Sequence, residues 1–213
     1  KALQMVEHSL LSMYSGGIYD HVGGGFHRYS TDRAWVVPHF EKMLYDNALL
    51  SRLYIHAYQA TGKSIYKSVA LDIYEYVLRD MTSDNGLFYS AEDADTDGEE
   101  GSYYTWDVDE LIAVVGFEEC ERLASDFNVT KRGNFEGRNI LHPSGTLKSR
   151  LIEGDTLALD LTIGSSRREK LLKSRSLRTR PLTDDKAVLS WNALMVQSLA
   201  DGFLATGHKE LKY

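Results

Sequence analysis

Gly16-Gly-Ile-Tyr-Asp-His-Val-Gly-Gly-Gly-Phe-His-Arg-Tyr-Ser-Thr-Asp-Arg-Ala-Trp-Val-Val-Pro-His-Phe-Glu-Lys-Met-Leu-Tyr-Asp-Asn-Ala-Leu-Leu50 is the stretch on which the fold turns. A glycine-rich loop gathers His21, His27, Arg28, Tyr29 and Asp32, passes Trp35 and reaches Pro38. His39, Glu41, Lys42, Tyr45 and Asp46 follow in close succession. Three consecutive glycines, Gly23 to Gly25, let the backbone take positive φ or approach a neighbour closely, at an entropic cost that a plain turn seldom needs three times over. They are not a phosphate cradle: the glycine motifs that bind nucleotides follow a strand, and an amphipathic helix over Ala2 to Tyr14 precedes these. Pro38 suits a first helical turn, where its missing N–H would be unpaired anyway. A helix from Pro38 to Ala60 would group His39, Lys42 and Asp46 on one stripe and Glu41, Tyr45 and Leu49 on another.

Outward from this stretch the pattern stays helical. Gly62 closes the predicted helix, Ser64 suits the N-cap of the next, and Ile65, Val69, Ile73, Tyr76 and Val77 form its apolar face before Asp84-Asn85-Gly86 turns the chain. An offset of 145 residues aligns Asn47-Ala48-Leu49 with Asn192-Ala193-Leu194 and Ala60-Thr61-Gly62 with Ala205-Thr206-Gly207. Recurring helical hairpins are the unit of a toroid or solenoid, because each needs neighbours to cover its apolar face. The recurrence of Asn47 and Asn192 points to architecture rather than binding. With Tyr213 where a further helix should begin, the set looks incomplete.

Between the repeats, Leu87–Ala91 and Ser102–Trp106 flank an acidic turn and predict an inserted β-hairpin. Asp107 and Glu110 have capping-box spacing. A helix over Glu118 to Phe127 should bury Cys120, Leu123, Ala124 and Phe127, and Asn134 to Pro143 should be extended or looped. Arg167 to Arg180 carries seven basic residues against Glu169. Leu171, Leu172 and Leu177 make it a packed segment with a solvated basic face rather than a nucleic-acid patch.

Thirty-one acidic against 24 basic residues give a net charge of −7, which argues against nucleic acid or an acidic membrane as the main partner. The 213 residues suffice for one domain. The single cysteine, Cys120, excludes an internal disulfide and suits a reducing compartment such as the cytoplasm. No apolar run has the length of a membrane span, and Lys1 to Leu10 lacks the shape of a secretory signal.

The 16–50 stretch, together with Phe88-Tyr-Ser-Ala-Glu-Asp-Ala-Asp95, Gly101-Ser-Tyr-Tyr-Thr-Trp106, Pro181-Leu-Thr-Asp-Asp-Lys186 and Trp191-Asn-Ala-Leu194, resembles the spermatogenesis-associated protein 20 family over nearly the whole chain. The resemblance implies a thioredoxin-like domain followed by a six-hairpin glycosidase-like (α/α)6 toroid, similar to that of N-acylglucosamine 2-epimerases. The expected fold is therefore all-α, a partial (α/α)6 toroid with a short β-hairpin insertion. The thioredoxin-like domain, with its paired cysteines, has no counterpart in residues 1–213. It is the partner the resemblance implies.

Two chemistries fit the polar residues. Epimerising a sugar beside its carbonyl needs a base and an acid, roles for His27 and His39, with Arg28 as electrophile. Glycoside hydrolysis needs paired carboxylates, for which Glu41 and Asp93 are candidates. His21, Tyr29, Trp35, Lys42, Tyr45, Asp46, Glu92, Asp95 and Trp106 would line the sugar, although aromatic residues at such positions also serve as core. Asp93-x-Asp95-x-Asp97-Gly98 matches half of a calcium loop, but Tyr104 occupies the twelfth position, where a bidentate glutamate belongs. No metal site and no cofactor is expected. The alternative is a non-catalytic interaction domain serving the thioredoxin-like domain.

Overall fold

Leucine and methionine at helical spacing form α1 (Ala2–Tyr14), which buries Leu10, Leu11 and Tyr14 before the glycine-rich loop. The computed structural model describes residues 1–162 and 165–211, mostly helical with a few two-residue strands; Tyr213 and the helix expected there lie outside them. After the loop come β1 (Tyr29–Ser30), β2 (Pro38–His39) and β3 (Lys42–Met43), then α2 (Leu44–Thr61) and α3 (Ser64–Asp80). Strands β4 (Ala91–Glu92), β5 (Asp95–Thr96) and β6 (Glu99–Glu100) precede α4 (Val108–Val115) and α5 (Phe117–Phe127). The chain continues through α6 (Gly145–Glu153), α7 (Thr156–Thr162), α8 (Ser166–Arg175), β7 (Thr183–Asp184) and α9 (Leu189–Thr206). Among the described residues no helix is long and apolar enough to cross a membrane.

The helix expected from Pro38 begins only at Leu44. Pro38 and His39 pair with Ser30 and Tyr29, and Lys42 and Met43 pair with Glu92 and Ala91. The φ of proline suits an edge strand as well as a helix start, so strand pairing decided between them. Extended chain sends alternate side chains to opposite faces. The predicted stripe of His39, Lys42 and Asp46 is therefore broken: Lys42 is 1% exposed, while His39 and Glu41 are half-buried.

The predicted repeat is physical. Helices α2 and α9 are both 18 residues long and both end at a left-handed glycine, Gly62 (φ 72°) and Gly207 (φ 68°). They run parallel, Tyr45 meeting Trp191, Ser51 bonding Ser198 at 2.8 Å and Arg52 pairing with Asp201. Helix α1 is antiparallel to α2, since the Tyr54 hydroxyl donates to the Leu10 carbonyl while Lys63 reaches Glu7. Helix α3 folds back after Gly62 and lies against α9 so closely that a β-carbon on Gly202 would stand 2.6 Å from the Tyr74 ring. The two asparagines make one clamp twice. Asn47 accepts from the Phe26 N–H (2.8 Å) and donates to the Phe26 carbonyl (3.1 Å); Asn192 does the same for Phe88 (2.9 and 3.0 Å).

Three other expectations are corrected. Leu87–Ala91 and Ser102–Trp106 do not pair: Ala91–Glu92 is the central strand of β3-β4-β7, and the hairpin forms within the acidic turn, β5 against β6 around Asp97–Gly98. Ser102–Trp106 is instead a turn held by Arg178, which donates to the carbonyls of Ser102, Tyr103 and Thr105 and lies 4.0 Å over the Trp106 ring. The basic segment packs through Leu171 and keeps Lys170 and Lys173 exposed, as expected, but its arginines are not merely solvated. Arg167 pairs with Asp126, Arg168 with Asp72, Arg175 with Asp20 and Arg180 with both Asp80 and Glu92, whereas Leu177 is exposed. Ser64 opens α3 without capping it. The Asp107–Glu110 capping box forms as predicted, and α5 buries Cys120, Leu123 and Phe127, leaving Ala124 half-buried.

Candidate functional site

An ionic cluster buried under the glycine-rich loop forms the floor. Asp20 accepts from the N–H groups of Val22 and Gly23, from both terminal nitrogens of Arg175 (2.9 and 2.8 Å), and from Lys42 Nζ at 2.8 Å. Burial alone would raise its carboxyl; Arg175 and then Lys42 hold it well below the usual range. Lys42 also donates to the Gly24 carbonyl (2.8 Å) and lies 4.2 Å over the Tyr76 ring, and burial lowers its ammonium. This explains the triple glycine: Gly25, at φ 77°, lies so near Tyr76 that a β-carbon would stand 2.4 Å from its ring. Beside Lys42 on the same ladder, Glu92 accepts from Tyr76 (3.0 Å), Tyr104 (3.4 Å) and Arg180 (2.7 Å).

His27 and His21 belong to this interior. His27 is 2% exposed and donates from Nδ1 to the Phe40 carbonyl at 2.8 Å; burial, with the charge of Lys42, lowers it to about 3. His21 Nε2 bonds the Gly16 carbonyl at 3.1 Å, and burial lowers it to about 3 as well. Both line a cavity of about 20 Å³ with Asp20, Phe40 and Tyr104. That is room for one water, not a sugar. Enclosed and neutral, neither histidine is placed for the acid–base exchange that the sequence assigned to His27.

The opposite side of the same chain forms an open face. Arg28 Nη1 donates to Glu41 Oε2 at 2.7 Å, and His39 Nε2 stands 3.7 Å from that oxygen. Tyr29 stacks on the His39 ring at 5.0 Å, while His39 Nδ1 lies 2.7 Å from Glu100 Oε1. Tyr45 packs edge-on against Trp191 at 4.8 Å. On the same first turn of α2, Asp46 Oδ2 is buried with no hydrogen-bond partner among the described residues. Burial pushes this carboxyl up to about 6, Arg28 opposing the shift and Glu41 adding to it. Asp93, the residue after β4, is exposed; its N–H donates to the Leu182 carbonyl.

The structure thus brings Arg28, Tyr29, His39, Glu41, Tyr45 and Asp46 together, while Asp93 follows β4 and Asp95 lies on β5, both exposed. It places His21, His27, Lys42 and Glu92 inside. Trp106 is core at 1% exposure, and Trp35 is half-buried with φ 65°, its carbonyl accepting from Ile18. The small cavity that His27 lines takes in none of His39, Glu41 and Asp93. Sequence reasoning missed Asp20, Arg175, Arg180 and Glu100, whose partners lie up to 155 residues away. The signal available was an arginine-rich segment in a chain with surplus acids. Among the described residues no group of three His, Cys, Asp or Glu side chains could hold a metal ion.

No family model matches the chain. Spermatogenesis-associated protein 20 of Homo sapiens is 40% identical over 97% of this chain and 29% of its own length. The Mus musculus protein of that name is 38% identical over 99% and 30%. An uncharacterized Caenorhabditis elegans protein is 32% identical over 100% and 32%. The chain spans about a third of the length of these relatives. A crystal structure of D-mannose isomerase aligns with 99% of this chain and 49% of that one, at 17% identity and a TM-score of 0.40. On the strength of the first two likenesses, which run through the loop, both repeats and the acidic insertion, the chain belongs to the spermatogenesis-associated protein 20 family.

Proposed function

We propose that the open face is a carbohydrate-active acid–base site, of the epimerase/isomerase or glycoside hydrolase type, set in the first part of an (α/α)6 toroid. Parallel α2 and α9 with antiparallel α1 and α3 behind them support the architecture. One observation carries the chemistry. The Asp46 carboxyl, pushed up to about 6 by burial and with its Oδ2 lacking a hydrogen-bond partner among the described residues, shares one surface with the Arg28–Glu41 pair and the His39 imidazole. Asp46 supplies a proton, Glu41 or His39 removes one, Arg28 polarises a carbonyl, and the Tyr45–Trp191 pair offers an apolar wall to a sugar ring.

Screening a panel of aldoses, ketoses and glycosides in deuterated water tests this. Deuterium beside the carbonyl identifies an epimerase or isomerase, and new reducing ends a hydrolase; Asp46→Asn and Glu41→Gln should each lower the rate at least tenfold. Silence across the panel favours the second reading, an interaction domain serving a thioredoxin-like domain. The half-exposed Leu49 and Val196 on α2 and α9 support that reading.

A further inference from the structure

Resting on that reading of the face, we infer that Glu100 is the positioning residue for His39, fixing its tautomer so that Nε2 is the proton acceptor. Glu100 is the last residue of β6, 61 positions from His39, and its Oε1 reaches His39 Nδ1 at 2.7 Å. An ionised carboxylate has only acceptor oxygens, so the proton in that bond belongs to Nδ1. Nε2 is then left with its lone pair, directed to the side of Glu41, 3.7 Å away.

Each element around the ring supports this assignment. Tyr29 of β1 covers one ring face and holds the plane. Glu41, on the residue before β3, is engaged by Arg28, which leaves Glu100 as the carboxylate within bonding distance of the imidazole. Asp46 of α2 faces Arg28 and Glu41. Glu100 is itself fixed: its Oε1 also accepts from the Phe40 N–H at 3.3 Å. The following Gly101 abuts the Phe40 ring so closely that a β-carbon there would stand 2.4 Å from it. The β5–β6 hairpin therefore presents its final carboxylate at one height, opposite His39. A base oriented by a third group is the arrangement by which imidazoles in enzymes are held in one tautomer.

Nitrogen-15 NMR of histidine-labelled protein reads the tautomer directly, with His39→Asn identifying the signal. In the unmodified protein at pH 8, His39 should report a protonated Nδ1 and a bare Nε2. In Glu100→Ala the proton should move largely to Nε2, the tautomer preferred in water, while the His21 and His27 signals stay in place. Where turnover of a sugar is measurable, kcat should fall with little change in KM, by no more than the roughly 10²- to 10⁴-fold that a general base contributes. A protonated Nε2 in the unmodified protein, or a tautomer unaltered in a Glu100→Ala protein that melts normally, would overturn the assignment. The two claims fail separately. The predicted tautomers without turnover of any sugar sink the catalytic reading alone, and turnover indifferent to Glu100→Ala sinks the positioning role alone.

Discussion

His21 and His27 lose their affinity for protons when the chain folds, and that change is measurable as stability. Each falls from 6.5 to about 3, so between those values the unfolded chain binds more protons than the folded one. Their contribution is fully present above pH 6.5 and is lost as the pH falls toward 3, at about 1.4 kcal/mol per pH unit for each histidine. Urea denaturation at pH 7, 5 and 4 should show this slope, and His27→Phe should remove one histidine's share; a slope unaltered in that variant would place His27 in contact with water. Asp20 is the other residue on which the interior depends. Asp20→Asn leaves Arg175 and Lys42 buried without their shared counter-charge and should cost about 3–5 kcal/mol, read as a lower urea midpoint. A loss under 1 kcal/mol would mean that water already reaches the cluster.

The two asparagine clamps are the clearest case of sequence declaring an element. Asn47 and Asn192 recur at one offset because each α-helix, at its first turn, must satisfy the N–H and carbonyl of an incoming phenylalanine. Asn47→Ala should cost about 1–3 kcal/mol, the penalty of stranding two buried backbone groups. Asn192→Ala should cost less, since Asn192 is only half-buried. Equal effects in thermal melts would argue against burial as the cause. The capping box at Asp107 and the glycine ends of α2 and α9 were legible for the same reason: their determinants lie within a few residues. The segment from Pro38 to Met43 was not, because its pairing partners are Tyr29, Ser30, Glu92 and Ala91, and nothing local distinguishes that strand from a first helical turn. The basic run after Arg167 deceived in the same way, its acids being distant in sequence. Of the site, the rim residues Arg28, His39, Glu41 and Asp46 could be named from the sequence. Which of them face outward could not, since the choice between helix and strand over 38–43 decides it.

At the scale of the molecule, one short three-stranded sheet divides interior from surface. The Lys42–Glu92 rung, continued by Thr183, feeds the buried charges, while the flanking Glu41 is half-buried and Asp93 exposed. Parallel α2 and α9 carry this division between them, placing Tyr45, Asp46 and Trp191 at one end of the pair. The acid–base reading of the face needs the Asp46 carboxyl at that end to be raised by burial to about 6, close to the Arg28–Glu41 pair. Carbon-13 NMR titration of the aspartate carboxyls, with Asp46→Asn identifying the signal, tests it most directly. The Asp46 carboxyl should titrate near 6; a midpoint near the ordinary 3.8 would contradict the acid–base reading of the face.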